Sequence, residues 1–104
     1  MALTRSFRQT VYQRAQRDAR FRKALLTEAM NAYLHGDEAT GKAVLRDVIN
    51  ATAGFEHLAA ELGKSSKSLH RMLGPEGNPS TANFFAILQA LQKALGVKLT
   101  VRAT

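Results

Sequence analysis

Residues 55–74 read Phe55-Glu56-His57-Leu58-Ala59-Ala60-Glu61-Leu62-Gly63-Lys64-Ser65-Ser66-Lys67-Ser68-Leu69-His70-Arg71-Met72-Leu73-Gly74. The stretch divides at Gly63 into two short helices. Leu58 and Leu62 face inward on the first, and Ala59 falls where only a small side chain fits between crossing helices. Gly63, four residues on, stands at a turn that needs positive φ. Ser65 is placed to cap the second helix. At 100° per residue Leu69, Met72 and Leu73 share an arc of ~100°, which leaves Lys67 and Arg71 on the opposite side with His70 and Ser68 flanking. No acid occurs between Glu61 and Glu76. A supporting helix, a glycine turn and a helix with a one-signed outer face match the helix-turn-helix template for reading a DNA major groove. The plainer reading is a packed helix pair with a solvated cationic face.

The flanking sequence is helical too. Phe7, Val11, Ala15 and Ala19 follow Leu3 at four-residue intervals among arginines, with Tyr12 beside them. Phe21, Leu25, Ala29, Ala32 and Tyr33 continue a helical period to Gly36, a stop signal. Asp37 can cap a helix carrying Val44, Leu45, Val48 and Ile49. Downstream, Gly74-Pro75-Glu76-Gly77-Asn78-Pro79-Ser80 is a loop. Ser80 or Thr81 then caps a helix with Phe84, Leu88, Leu91 and Leu95 on its seam, and Gly96 ends it. Val97, Leu99 and Val101 alternate with Lys98, Thr100 and Arg102, the period-two pattern of a half-buried strand. With no second strand in the chain, that strand must pair with another copy or remain a tail. The expected fold is all-α: a five- to six-helix helix-turn-helix domain with a short C-terminal β-strand. Residues 1–35 form a basic helical region, and residues 36–104 the DNA-binding domain with its dimerisation strand.

Charge narrows the partner. The chain has 104 residues, 15 Lys+Arg and 8 Asp+Glu, a net +7. Residues 1–23 hold seven of the bases and one acid, Asp18, so nearly all the excess sits there. Such a balance favours a polyanion, with nucleic acid first and a solvated basic face as the bland alternative. A basic amphipathic helix lying on anionic membrane is a weaker rival, because the chain has no Trp. No apolar run reaches the length of a membrane span, and no signal-peptide segment is evident, so a cytoplasmic location is expected. The absence of cysteine excludes disulfides, Cys-type zinc fingers and a thiol nucleophile.

Gly36-Asp37-Glu38-Ala39-Thr40-Gly41-Lys42-Ala43 nearly spells a phosphate-binding loop. Ala43 stands where a hydroxyl should ligate magnesium, a helical pattern replaces the preceding strand, and Asp37 and Glu38 would face the phosphates. A helix–helix junction is the better reading. His35, His57 and His70 lack ligand spacing and clustered acids, so neither a metal nor another cofactor is expected. Ser65, Ser66 and Ser68 beside His70 suit a helix start rather than a nucleophile, and no enzymatic activity is expected.

The segment from Leu58 to Val101 resembles the prokaryotic addiction-module antidote proteins, a branch of the XRE (phage repressor-like) helix-turn-helix regulators. The likeness spans roughly residues 36–101. It is most distinctive in Pro75-Glu76-Gly77-Asn78-Pro79 and Leu95-Gly96-Val97-Lys98-Leu99. It implies DNA binding, repression of the protein's own operon, and often neutralisation of a small toxin. Two departures stand out: an arginine-rich N-terminal stretch, and Phe55 where the family usually has Gln at a phosphate contact.

The expected function is therefore sequence-specific recognition of double-stranded DNA by a homodimeric transcriptional repressor. Ser66, Lys67, His70 and Arg71 would read base edges. Lys64, Ser65, Asn78, Ser80, Thr81 and Asn83 would touch phosphates. Arg5, Arg8, Arg14 and Arg17 would add sequence-independent attraction. Phe85, Ile87, Val97, Leu99 and Val101 would form the dimer contact. The alternative is an antitoxin acting mainly as a protein-interaction module on a toxin, with Phe7, Tyr12 and Phe21 as candidate anchors.

Overall fold

The computed structural model describes residues 5–104, with side chains from Gln9 onward. Leu3 and the side chains of Arg5, Phe7 and Arg8 therefore lie outside the described part. Six helices follow one another: α1 (Arg5–Arg17), α2 (Ala19–Leu34), α3 (Glu38–Ala51), α4 (Phe55–Glu61), α5 (Ser66–Met72) and α6 (Thr81–Leu95). The fold is all-helical, and no strand occurs among the described residues. No helix among them is long and apolar enough to cross a membrane.

The N-terminal helical pattern is divided at Asp18. Its Oδ1 accepts the N–H groups of Arg20 at 3.0 Å and Phe21 at 3.3 Å, which caps α2. Arg22 reaches back and donates through Nη1 to the Ala15 carbonyl at 2.8 Å, closing the end of α1. The break turns the apolar series aside: Ala15 is buried while Ala19 is exposed. Tyr12 and Phe21 are half-buried, and the Arg14 guanidinium sits 4.6 Å above the Phe21 ring. Those two aromatics are thus largely absorbed by the chain itself.

Asp37 caps α3, accepting the Thr40 N–H at 3.2 Å. The near-phosphate loop is accordingly a turn and the opening of a helix. Gly41 packs against the α2 ring of Tyr33, and a Cβ there would fall 2.7 Å from Tyr33 Cδ2. The glycine permits α2 and α3 to lie close together.

One core draws on every helix from α2 to α6. It includes Leu26, Leu45, Val48, Ile49, Leu58, Leu69, Leu73, Ile87 and Leu91, each at most 1% exposed. Burying a leucine-sized side chain contributes about 1.5–3 kcal/mol, so these residues outweigh the surface polar contacts described below.

The C-terminal segment differs from the expected strand. Gly96, at φ +64°, ends α6, and the Val97 N–H returns to the Gln92 carbonyl at 3.0 Å. Val97 enters the core at 8% exposure, and Leu99 packs half-buried against it. The Leu99 N–H donates to Gln92 Oε1 at 2.8 Å, so a side-chain amide supplies the partner that a neighbouring strand was expected to provide. The segment is a tail that lays Val97 and Leu99 on the bundle. Val97 and Ile87, the latter 1% exposed, belong to the chain's own core and present no face to a partner. Phe85 at 58% and Val101 at 83% remain exposed.

Candidate nucleic-acid interface

The α4–turn–α5 unit is built from its caps. At the end of α4 the Gly63 N–H bonds the Ala60 carbonyl at 3.1 Å, and the Lys64 N–H bonds the Ala59 carbonyl at 2.9 Å. This paired closure uses the positive φ of Gly63, +65°, and satisfies carbonyls that would otherwise be orphaned. Ser65 then caps α5, its Oγ accepting the Ser68 N–H at 3.0 Å. Ala59, 2% exposed, lies in the core beside Leu58. Leu69 and Leu73 are fully buried, Met72 is half-buried, and Lys67, His70 and Arg71 are exposed. Helix α5 therefore has one apolar side and one cationic side, as its periodicity requires.

The loop at 74–80 is held from a helix whose cations had no assigned role. Lys42 of α3 is 7% exposed. Its Nζ donates to the Gly77 carbonyl at 2.8 Å and to the Pro75 carbonyl at 3.4 Å. Arg46, one turn further along, donates through Nη1 to the Leu73 carbonyl at the end of α5. Gly77 itself presses on the Arg71 and Met72 carbonyls, where a Cβ would collide with backbone. The loop is thus bound to the last turn of α5 and to α3 together. A signal existed in the sequence: Lys42 and Arg46 occupy the same i, i+3, i+4, i+7 stripe as Leu45 and Ile49, where a solvated cation is out of place.

This arrangement forms a cleft of about 430 Å³ beside α5, lined among others by Lys64, Ser68, Arg71, Glu76, Asn78 and Asn83. It brings together four expected contact residues: Lys64, Arg71, Asn78 and Asn83. Ser68 and Glu76 were not among the candidates, and Glu76 places a carboxylate in a cleft otherwise lined by basic and neutral groups. Ser66 and Lys67 lie on α5 outside the cleft lining. Ser65 and Ser80 are occupied as helix caps, Ser80 Oγ accepting the Asn83 N–H at 3.2 Å. Thr81 borders a second hollow of about 280 Å³ with Asn78, Tyr33 and Lys42. The Tyr33 hydroxyl is buried without a hydrogen-bond partner, and burial pushes its pKa up to about 12, keeping the phenol neutral.

His70 is partly committed. Its ring lies 3.8 Å from the Phe55 ring at 13°, a stacked pair linking α5 to the start of α4. Phe55 is thus a packing partner for the outer helix at the position where a polar phosphate contact was expected.

Of the four expected N-terminal arginines, Arg14 and Arg17 have described side chains, and neither lines the cleft. Arg14 pairs with Asp18 at 3.6 Å on an exposed surface and lies over Phe21. Arg17 is exposed. The end of α1, at Ala15 and Gln16, shares a hollow with Ala94 and Leu95 at the end of α6. Asn83 marks the cleft at the start of α6, roughly 18 Å away along that helix at ~1.5 Å per residue. Set against known proteins, the chain matches no family, no curated protein and no solved structure.

Proposed function

We propose that the α4–turn–α5 unit is a helix-turn-helix, that α5 enters the major groove of duplex DNA, and that the chain is a sequence-specific transcriptional repressor of the antidote type. The observation that carries the reading is the division of α5. Leu69 and Leu73 are fully buried, while Lys67, His70 and Arg71 are exposed beside a cleft lined by Lys64, Asn78 and Asn83. Arg71 and Lys67 suit guanine O6 and N7. Lys64 and the two asparagines suit phosphate oxygens on the groove's edge. The clamp from Lys42 and Arg46 makes α5 and the loop one rigid surface, which suits simultaneous contact with bases and backbone. Glu76 disfavours phosphate immediately beside it and so biases where the backbone can run.

The test is selection from a randomised duplex pool, followed by anisotropy titration of the recovered sequence and a scrambled control at fixed salt. A specific regulator binds the selected duplex at least ~10³-fold more tightly than the control. Equal affinity for both duplexes would reduce the protein to a general polycation and overturn the reading.

A further inference from the structure

The hollow of about 280 Å³ that Thr81 borders lies between the α2–α3 junction, the loop at 74–80 and the start of α6. Its walls are aromatic. Tyr33, Phe84 and Phe85 line it, and Phe84 meets Tyr33 at 4.8 Å and 64° and Phe85 at 5.7 Å and 80°. Rings set at such angles form a corner in which a flat ring can lie face-on to one wall and edge-on to the next. The Tyr33 hydroxyl is itself sealed from solvent, so that residue offers its ring. The polar lining is balanced. Glu38 and Lys42, one turn apart on α3, bring one negative and one positive group. That spacing ordinarily joins glutamate to lysine. Here the Lys42 ammonium is drawn to the Gly77 and Pro75 carbonyls, and no ion pair to Glu38 occurs among the described residues. Asn78 and Thr81 add groups that both donate and accept hydrogen bonds.

We propose that this hollow binds a nucleobase, presented by a free nucleoside or by an unpaired position of a strand. Charge selects against simpler aromatic ligands. An anion loses to Glu38 what it gains from Lys42, and a cation does the reverse. A neutral ring with donors and acceptors around its edge is penalised by neither. The Glu38 carboxylate suits a ring amine, and the Asn78 amide suits the adjacent donor and acceptor of a base edge. The aromatic walls suit its faces. Size agrees, because a hollow just under the ~300–1,000 Å³ of drug-sized sites has room for one base and leaves the sugar outside. The DNA reading makes no use of this hollow, since its base-contacting groups lie on α5. The two places meet at Asn78, which lines both the hollow and the cleft beside α5. An effect of the bound base on that cleft rests on the DNA reading; the binding itself does not.

The test therefore uses no duplex. Adenosine, guanosine, cytidine and thymidine are titrated to ~2 mM into the isotope-labelled full chain. At least one should shift amides of residues 33–42 and 78–85 with a dissociation constant below ~1 mM, and benzoate and benzylammonium should bind at least ~tenfold more weakly. Phe85→Ala and Asn78→Ala should each weaken nucleoside binding at least ~fivefold with an unchanged circular dichroism spectrum. A single-stranded tetranucleotide and an abasic strand of the same length, compared at one salt concentration, separate the sources. A ~tenfold advantage for the strand with bases assigns the hollow to an unpaired base, and no advantage assigns it to a free nucleoside. No shift at those residues with any nucleoside would leave the hollow to water and overturn the proposal. So would charged aromatics binding as tightly as the nucleosides, shifts confined to residues 64–77, or affinities indifferent to both substitutions.

Discussion

Replacing Lys42 by Met isolates what the α3 clamp contributes. Methionine keeps most of the aliphatic stem, so the change removes the ammonium group and little packing. The lost contacts are one good hydrogen bond to the Gly77 carbonyl at 2.8 Å and a marginal one to Pro75 at 3.4 Å. A charge-assisted hydrogen bond contributes about 1.5–3 kcal/mol, and the marginal one adds little. Against this stands the cost of holding a cation at 7% exposure, which the substitution relieves. The hydrogen bonds should win by about 1–2 kcal/mol, because both carbonyls lose a donor that methionine cannot replace. At ~4–8 °C per kcal/mol for a domain of this size, the melting temperature should fall by roughly 4–16 °C. Calorimetry checks that figure. Hydrogen exchange locates the loss at the Gly77 amide, which donates to Gly74 at 2.9 Å within the clamped loop. A Lys42→Met protein as stable as the parent, with unchanged exchange at Gly77, would refute the clamp. The cation would then be a net cost and the loop self-supporting.

Arg71→Ala and Lys67→Ala should each weaken binding to the selected duplex by ~1–3 kcal/mol in an anisotropy titration, with an unchanged melt because both side chains are exposed. Ala59→Leu should destabilise the fold by ~1–3 kcal/mol through overpacking, as read by chemical denaturation. Gly63→Val should lower the melting temperature, since a β-branched residue resists its φ of +65°. In acid, the Phe21 N–H holds the Asp18 carboxyl below its ordinary pKa of 3.8, aided by Arg20 and Arg14, and Thr40 does the same for Asp37. A carboxylate depressed in the folded state stabilises above its unfolded pKa, and that stability is lost as pH falls through the lowered value. A series of melts should therefore decline below the ordinary carboxylate value, and more shallowly in Asp18→Asn, which keeps the capping oxygen but cannot titrate.

What could be read from the sequence was mostly punctuation. Asp37, Ser65 and Ser80 cap the helices they were expected to cap, because a short oxygen-bearing side chain before an apolar-periodic run has few other local uses. Gly36, Gly63 and Gly96 end helices at positive φ for a matching reason. The capping role of Asp18 is not legible because the four-residue spacing of small and apolar residues runs straight across it, and spacing does not register a cap inside a periodic stretch. The C-terminal alternation marked the side on which Val97 and Leu99 pack, but period two reports neither what covers that side nor how far it extends. Here the bundle covers Val97 and Leu99, Gln92 accepts the Leu99 N–H, and Val101 stays exposed. At the candidate site, the outward face of α5 followed from its own periodicity. The tether from Lys42 and Arg46 crosses roughly thirty residues of chain, and only their place on an apolar stripe hinted at it.

On the proposed DNA reading, the stacked rings of Phe55 and His70 set which positions of α5 can be varied to change the sequence it recognises. Position 70 looks free to vary, since its side chain is solvent-exposed on the outer helix. Yet a non-aromatic replacement there uncovers one face of a phenylalanine that is itself only 5% exposed. Changes at Ser66, Lys67 and Arg71 alter what the helix offers without disturbing that face. A combinatorial library should therefore diversify those three positions freely and vary 55 and 70 only as a pair, so that selection for a new operator is not confounded by selection for a helix that stays docked.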